Sequence, residues 1–397
     1  MDTEAAINNL YIHWMGNGVE DFLAWGFAVF EYSVTYETSA LNHGNAGDKF
    51  EVVIMGFEQV ADGLLLCHDW MLPLWREFTV ALARASARGV AIDCLSIGHV
   101  ELPLNVLRVL APALRVAPIK LLHLKNNGLR RDGIIYLSKS IQAERLALKE
   151  NRLLDVISIV SLVEPSRYDC HLRSLSLDKC NIGLKGSLLS TLLHTMSLSN
   201  NIRNLSLARN NLGTKESEII ASYLSTNPPL ASLDLVGNLL SDADVAFIMG
   251  ALKSNAMLRG LRLSGNPLGE ASIEAICGAI YNMSSLDTIH TSNHTCLVTS
   301  DLDIPDCNRY VSQNANRIAK ILGVLYNGHA FTFLETVPLA VVPFVLDFIQ
   351  YPSFKLPLTR IFHLVRDWDT PLMNLGCTDV IAMKRKRALT RRNRRQN

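Results

Sequence analysis

The chain has 397 residues, is 49% hydrophobic and carries a formal net charge of +1. This composition excludes a chain that is disordered throughout, because it holds enough apolar residues for a large core. The charge is unevenly placed: the last fourteen residues contain eight basic residues and no acidic residue, so residues 1–383 sum to −7. The sequence therefore describes an acidic body with a basic tail.

The sequence favours an intracellular protein without a membrane span. Its first residues, MDTEAAINNLY, are acidic where a secretory signal is basic. The longest uncharged run in its most apolar late stretch, Thr336–Leu346, has eleven residues, whereas a membrane-spanning helix needs about 20. None of the eight cysteines forms a CxxC pair, which favours reduced thiols over a disulfide framework or a zinc module. We expect a cytoplasmic or nuclear location.

The N-terminal 91 residues contain four of the five tryptophans. Within them, Leu74–Gly89 has the pattern of a helix that ends at a glycine. We expect residues 1–91 to cap the repeats that follow and to hold one further degenerate copy, because the first coil of a repeat array would otherwise expose its core.

The middle of the chain repeats the pattern apolar-x-x-Leu-x-Leu-x-x-Asn-x-Leu, whose residues we number 1 to 11. One copy is Ile202-RNLSLARNN-Leu212. Its Leu205 and Leu207 alternate as in a short strand with one buried face. Between copies the apolar residues recur with helical period, as in the stretch after Asp242, where Ser241 or Asp242 can cap a helix. The copies begin at residues 92, 119, 143, 172, 202, 230, 258 and 286.

An asparagine occupies position 9 in five copies, where the strand ends and the chain turns. A buried asparagine side chain can bond backbone groups of the turn that have lost their sheet partners. The copy from 172 has Cys180 at this position, while Val100 and His294 predict irregular first and last coils. The turn asparagines are Asn127, Asn151, Asn210, Asn238 and Asn266.

These copies resemble the leucine-rich repeat family, and their period of 28–29 residues resembles its ribonuclease-inhibitor-like class. The resemblance implies an α/β solenoid with a curved parallel sheet inside and helices outside. It covers residues 92–296, about eight coils. One strand and one helix cannot bury an apolar face alone, whereas stacked copies can.

Residues 297–375 are expected to form a helical C-terminal cap. Asn314–Gly328 carries an apolar stripe, and Val341–Phe348 and Leu358–Trp368 are predicted to be further short helices. Together with the SNHTC segment of the last copy, this layout resembles uncharacterised repeat proteins of some protists, a resemblance that implies no activity. Residues 376–397 are expected to be disordered.

Candidate chemistry is sparse. His290, His294 and Cys296 suggest a metal site, but the pattern places them on a strand and its following turn, with His290 on the inner face and Cys296 in the core. Cysteines inside the repeats are expected to be small core residues. The sequence contains no nucleophile elbow, Walker sequence, HExxH or paired-acid motif. We therefore expect no metal, no cofactor and no catalytic activity.

The repeat register predicts a basic concave sheet face. In the seven copies from 119, positions 2, 3, 5, 7 and 8 hold ten basic and five acidic residues. Arg173, Arg203 and Arg259 share position 2 and are expected to form a row that Ala231 interrupts. Such a face would favour an acidic protein partner and accelerate encounter with it; alternatively, these charges only solvate an exposed sheet. The basic residues are Lys120, Lys125, Arg145, Lys149, Arg173, Lys179, Arg203, Arg209, Arg259 and Arg262.

The basic tail has three interpretations. Two basic clusters separated by Ala388–Thr390 resemble a nuclear import signal that an import receptor would bind. The same charges could instead contact nucleic acid without sequence specificity, or an anionic membrane. A solvated terminus without a role is the third. The tail residues are Lys384, Arg385, Lys386, Arg387, Arg391, Arg392, Arg394 and Arg395.

The sequence thus predicts a non-catalytic scaffold that binds a protein partner on its concave sheet face. Two alternatives stay open. One is regulation of another enzyme, since ribonuclease-inhibitor-like repeats include GTPase-activating proteins and nuclease inhibitors; the other is polyanion binding through the tail. The fold alone does not decide among them.

Overall fold

The computed structural model describes residues 22–45, 47–56, 64–152, 154–163, 172–282, 286–305 and 307–326. The chain divides into two compact units: residues 1–282 with 292–313, and residues 283–291 with 314–397. The helices predicted at Val341–Phe348 and Leu358–Trp368, and the basic tail, lie outside the described residues.

In the first unit, nine parallel strands form one sheet, and their order in space is their order along the chain. Each pair of consecutive strands is joined through at least one helix. This arrangement confirms the predicted α/β solenoid. The strands are β1 (Lys49–Met55), β2 (Ala91–Gly98), β3 (Ile119–Lys125), β4 (Arg145–Ala147), β5 (Ser174–Ser176), β6 (Asn204–Ser206), β7 (Ser232–Asp234), β8 (Gly260–Arg262) and β9 (Leu297–Thr299).

Helices form in the stretches after Asp242 and after Asn314, where the helical period predicts them. At one N-terminus, the Ser241 backbone N–H donates to the Asp244 carboxylate at 2.8 Å, so the predicted cap forms. No helix in the described ranges is long and apolar enough to cross a lipid bilayer. The helices of the first unit are α1 (Phe22–His43), α2 (Met71–Ala87), α3 (Leu104–Val116), α4 (Arg131–Ser138), α5 (Val156–Val163), α6 (Leu188–Ser199), α7 (Thr214–Ser225), α8 (Asp242–Leu252) and α9 (Glu270–Ile280). The second unit contains α10 (Leu286–Thr291) and α11 (Gln313–Tyr326), except for the first residue of α11, which belongs to the first unit.

The strand pairing reproduces the repeat register. Position 4 is buried in every strand; Leu205 of β6 is 2% exposed, and Leu207, just after the strand, is 0% exposed. A slip of one residue would turn these leucines to solvent, so the buried face fixes the register. From β3 to β8, position 3 of each strand pairs with position 3 of the next, through Leu121, Arg145, Ser174, Asn204, Ser232 and Gly260.

The register predicted from residue 286 is wrong. Leu286–Thr291 forms helix α10, and the strand that pairs with β8 is β9, beginning at Leu297. The predicted copy has Thr291 where a core leucine is needed, and it therefore lacks the buried pair that holds the other strands. Asn293 precedes the strand instead of following it: its Oδ1 accepts from the Cys296 N–H at 2.7 Å.

The N-terminal segment adds a strand ahead of the first predicted copy. β1 runs parallel to β2 and pairs with it along seven residues. Trp75 of α2 is fully buried, with its ring centroid 5.4 Å from Phe30 and 6.2 Å from Phe78. Large aromatic side chains thus fill the core at this end, whereas leucine side chains fill it in the repeats.

A ladder of asparagine side chains joins successive coils. The Asn210 Oδ1 accepts from the backbone N–H groups of Cys180 at 2.9 Å and Ile182 at 3.2 Å, in the preceding coil. Its Nδ2 donates to the Leu177 carbonyl at 2.8 Å. One buried amide therefore bonds backbone groups that the sheet leaves unpaired. Asn151, Asn238 and Asn266 make the corresponding contacts.

Cys180 interrupts this ladder. Its thiol reaches the Leu148 carbonyl at 3.0 Å, so it replaces the donor half of an asparagine. As an acceptor a thiol is weaker than an amide oxygen. The Asn151 N–H lies against the Cys180 thiol and also approaches the Leu148 carbonyl of its own coil at 3.4 Å. Burial raises the pKa of the Cys180 thiol to about 12, so it is an inert core residue and not a nucleophile.

The residue before each turn asparagine, at position 8, has a left-handed backbone. This conformation points its N–H to the next coil, as Lys179 does to the Ala208 carbonyl at 2.9 Å. The sheet ladder therefore continues into the turn even where the residue is not glycine. The residues are His99, Asn126, Glu150, Lys179, Arg209, Gly237 and Gly265, with φ between 48° and 70°.

We predict that Asn210→Ala lowers the free energy of unfolding by about 2–4 kcal/mol, because it leaves buried backbone groups without partners. Asn204→Ala is the matched control, since Asn204 is exposed on β6, and its effect should stay within about 0.5 kcal/mol. Urea titration of both variants measures the difference. Equal losses would show that the ladder contributes nothing specific.

We predict that Cys180→Asn raises the free energy of unfolding by about 1 kcal/mol, because an amide oxygen can accept from the Asn151 N–H. Cys180→Ala removes the thiol donor and should lower it. A fall in the thermal midpoint of Cys180→Asn would contradict the prediction and show that the coil lacks room for the amide.

Candidate interaction surface

Each strand has one side toward the core and one side outward. Leu205 of β6 and Leu207, which follows the strand, belong to one core cluster with Leu189 and Leu192 of α6. Asn204 and Ser206, on either side of Leu205, are exposed and half-buried. Because the register is constant, the outward residues of successive strands lie side by side. We call positions 3, 5, 7 and 8 of the coils from β1 to β9 the strand face.

The ten basic residues that the sequence predicts for the sheet separate into two groups. Four occupy position 2, just before their strands begin: Lys120, Arg173, Arg203 and Arg259. The other six lie on the strand face: Lys125, Arg145, Lys149, Lys179, Arg209 and Arg262.

Three of the ten are bound to acidic neighbours in the preceding coil. Lys120 contacts Asp93, and Lys179 contacts Glu150 at 2.8 Å. Arg262 contacts Asp234, also at 2.8 Å. The Lys120 hydrogen bond lowers the pKa of the Asp93 carboxyl. These pairs stabilise the stacking of coils and leave fewer basic groups for a partner than the sequence count indicates.

The strand face is close to neutral. β1 contributes Glu51, which pairs in register with Cys94, and the coil of β9 contributes Asp301, whose carboxylate accepts from the Gly265 N–H at 2.6 Å. Neither acid lies within the seven copies counted from the sequence. The strand face therefore carries six basic residues and five acidic ones. The acidic residues are Glu51, Glu150, Asp178, Asp234 and Asp301.

The predicted row at position 2 exists, but it lies along the border of the sheet. The Arg203 N–H donates to the Arg173 carbonyl at 2.7 Å, and the Arg259 N–H donates to the Ala231 carbonyl at 2.8 Å. The Arg203 guanidinium turns to the loop before β7, where Nη1 donates to the Pro229 carbonyl at 2.9 Å. The positive excess of the predicted face thus belongs to this border.

A local positive cluster remains on β3 and β4 around His123. The His123 ring lies 3.4 Å from the Ser96 hydroxyl. Burial lowers the pKa of His123, and the positive charges of Lys149 and Lys125 lower it further, while Asp178 and Glu150 oppose them. Position 5 of this coil therefore holds a half-buried, neutral imidazole under a positive local potential.

Sequence reasoning missed His123 and the acids that bind the lysines. Position 5 lies at the middle of each strand, so the register alone could have marked His123. Each ion pair joins the same position of two adjacent coils, as position 8 in Lys179 and Glu150. The register places such residues side by side, and the structure shows which of them bond.

Of the three residues considered for a metal site, Cys296 is buried as predicted, whereas His290 does not lie on a strand. His290 lies in α10, where the Arg317 guanidinium contacts its Nδ1 at 2.6 Å. Cys296 is buried, and burial raises the pKa of its thiol. Within the described residues, no group of three or more His, Cys, Asp or Glu side chains could hold a metal ion.

Comparison with known proteins finds similarity only among solved structures. No protein-family model matches the chain, and no curated protein matches it. The leucine-rich repeat-containing protein LegL7 from Legionella pneumophila is 19% identical, with a TM-score of 0.40 over 62% of this chain and 86% of that one.

Two further structures have a TM-score of 0.30 over 44% of this chain. The tropomodulin C-terminal domain from Caenorhabditis elegans is 18% identical and covered over 95% of its length. Actin-binding site 2 of leiomodin-1 is 15% identical and covered over 88%. The fold assignment rests on the strand order, the register and the asparagine ladder described above. These features are those expected for a solenoid of the leucine-rich-repeat type.

We predict that Lys149→Gln raises the pKa of His123, because it removes a positive charge that disfavours the imidazolium. Lys139→Gln, with the same charge change at the C-terminal end of α4, should leave it unchanged. NMR titration of the imidazole measures both values. An equal response in the two variants would contradict a local cluster.

The same shift has a consequence for stability. Because the pKa of His123 is lower in the folded state than its ordinary 6.5, the unfolded chain takes up the proton first as the pH falls. The contribution of neutral His123 to stability is therefore present above pH 6.5 and is lost below it.

Proposed function

We propose that this protein is an interaction scaffold that binds a protein partner across its strand face. The observation that carries the proposal is the uninterrupted parallel sheet, whose outward side chains are small and polar at positions 3 and 5 of β5 and β6 and include charged groups along its whole length. Eight strand spacings and five residues along each coil give a surface of roughly 38 Å by 17 Å. This area approaches the ~800 Å² that each partner contributes to a standard interface.

The character of the outward residues supports a partner held by many distributed contacts. Their serines and asparagines stand on a rigid backbone, so their hydroxyl and amide groups are presented at fixed positions. Small side chains also let a partner approach the sheet closely. The small polar residues at positions 3 and 5 of the central coils are Ser174, Ser176, Asn204, Ser206 and Ser232.

We assign an acidic contact to the β3–β4 end of this surface. Arg145 is exposed at position 3 of β4, and Lys125 and Lys149 lie four positions further along, at position 7 of their coils. Arginine is enriched among the residues that dominate interface energies. Toward β7–β9 the surface carries Asp234 and Asp301, so the complementary partner would be acidic at one end only.

We predict that the double variant Arg145→Glu, Lys149→Glu reduces capture of the partner at least about tenfold, because like charges then oppose the acidic contact. The matched control is Arg130→Glu, Lys215→Glu, which changes the net charge equally at exposed residues outside the strand face. The measurement is quantitative pull-down with the full chain, followed by mass spectrometry.

A photo-reactive residue in place of Ser206 should crosslink to the same partner, whereas one in place of Ser222 on α7 should not. Undiminished capture by the double variant, with its thermal midpoint intact, would remove the acidic contact. Crosslinking from Ser222 alone would remove the strand face as the site.

A further inference from the structure

One edge of the first unit is formed by the same part of every coil. There each helix ends and the chain passes through a loop to position 2 of the next copy. Backbone hydrogen bonds join these position-2 residues from coil to coil, as between Arg203 and Arg173. We call this the helix-exit edge and define it, from α2 to α8, as residues 84–93, 113–120, 135–144, 160–163, 172–173, 196–203, 222–231 and 249–259.

The helix-exit edge is strongly basic, whereas the opposite edge is balanced. Residues from position 7 of each coil through the first turn of the following helix form that opposite edge, and they include nine basic and nine acidic residues within the described chain. The helix-exit edge has only two acids, Asp93 and Glu144. Its nine basic residues are Arg84, Arg88, Arg115, Lys120, Lys139, Arg173, Arg203, Lys253 and Arg259, all exposed.

Three of the nine basic side chains have roles within the fold. Lys120 binds Asp93, Arg88 donates to the carbonyls of Gly44 and Leu41, and Arg203 donates to that of Pro229. For the other six, the described part of the chain provides no hydrogen bond or ion pair. They are Arg84, Arg115, Lys139, Arg173, Lys253 and Arg259.

Exposed aliphatic side chains lie among these charges. Val116 is 58% exposed, Leu198 60% and Met257 39%, each at the end of a helix or in the loop after it. Tyr136 and Tyr223, the aromatic residues of the described edge, are half-buried or buried. The edge therefore combines free cations with aliphatic groups and offers no exposed ring on which a base could stack.

Helix termini reduce the positive potential of this edge but do not cancel it. Each helix places about half a negative charge at its C-terminus. Seven helices end here, so their dipoles offset about half of the net charge of +7. The remaining positive charge is spread along about seven coils and not concentrated at one anion site.

We propose that the helix-exit edge docks on an anionic lipid surface. The basic residues would lie at the level of the headgroup phosphates, while Val116, Leu198 and Met257 would enter the boundary with the acyl chains. A nucleic acid backbone or an acidic peptide would use the charges and leave these aliphatic groups without a function. The constant register aligns the edge along one side of the sheet, as contact with a bilayer requires.

The test is co-sedimentation of the full chain with vesicles of phosphatidylcholine, or of phosphatidylcholine with phosphatidylserine. We expect the chain to bind only the vesicles that contain phosphatidylserine. Arg115→Gln, Arg173→Gln, Arg259→Gln should weaken it more than about 20-fold, since each basic residue near the surface contributes a several-fold factor. The control Arg130→Gln, Arg152→Gln, Lys215→Gln removes three charges from the opposite edge and should retain most of the binding.

Two further variants distinguish vesicle binding by the edge from binding by the tail, and lipid binding from attraction by charge alone. With the eight basic residues of the tail all changed to Gln, the difference between edge and control variants should persist. These residues are Lys384, Arg385, Lys386, Arg387, Arg391, Arg392, Arg394 and Arg395. Val116→Ser, Leu198→Ser should weaken vesicle binding about tenfold and leave heparin binding unchanged. Leu184→Ser, Leu239→Ser, at equally exposed leucines of the opposite edge, is the control.

Several results would overturn the proposal. One is equal loss in the edge and control triple variants, at unchanged thermal midpoints. Another is vesicle binding that disappears when the tail alone is neutralised. A third is edge-dependent binding to heparin or to a polyaspartate peptide without binding to phosphatidylserine vesicles, which would assign the edge to a soluble polyanion.

Discussion

The asparagine ladder is the contact on which the regularity of the sheet depends. A three-residue strand such as β6 makes few backbone hydrogen bonds, and the chain leaves the sheet at once. The turn would bury unpaired N–H groups if the amide of the next coil, such as that of Asn210, did not accept from them. Each coil is thus completed by its neighbour, so the array is stable only as a stack.

The coil of Cys180 shows how the array tolerates a missing rung. The thiol keeps one contact to the preceding coil, and Lys185 supplies others: its Nζ donates to the carbonyls of Arg152 at 2.7 Å and Leu154 at 2.8 Å. Burial lowers the pKa of Lys185, which is the cost of placing an ammonium there. A lysine that a sequence count would assign to solvent or to a partner therefore acts in the stacking of coils.

The sequence predicted the fold wherever one apolar spacing determines one structure. Leu205 and Leu207 fixed the face of β6, and the same spacing located the strands from β2 to β8. It failed at Leu286, where the predicted copy matched the pattern only at Leu286, Ile289 and Cys296 and had Thr291 and His294 in place of the leucine and the asparagine. Asn293 bonds the approach to β9, as Asn255 bonds the approach to β8 through the Leu258 N–H.

The candidate site was less predictable, because charge depends on how side chains turn and not on register alone. The register placed Arg173, Arg203 and Arg259 in one row correctly, yet it did not reveal that the row borders the sheet. Nor could it show that acids in adjacent coils bind Lys179 and Arg262. These contacts lie at sequence separations of 28 and 29 residues, one repeat period, so they become visible only when the coils are stacked.

Separating the two surfaces changes what each can recognise. Paired charges and small polar groups on the strand face favour discrimination among protein surfaces, because a mismatched partner would leave groups such as Glu150 and Lys179 bonded only to each other. Unbonded cations at the helix-exit edge, by contrast, are arranged for attraction without fine selection. Since the two surfaces lie on different sides of the same coils, one array can be held through its edge while its strand face binds a partner.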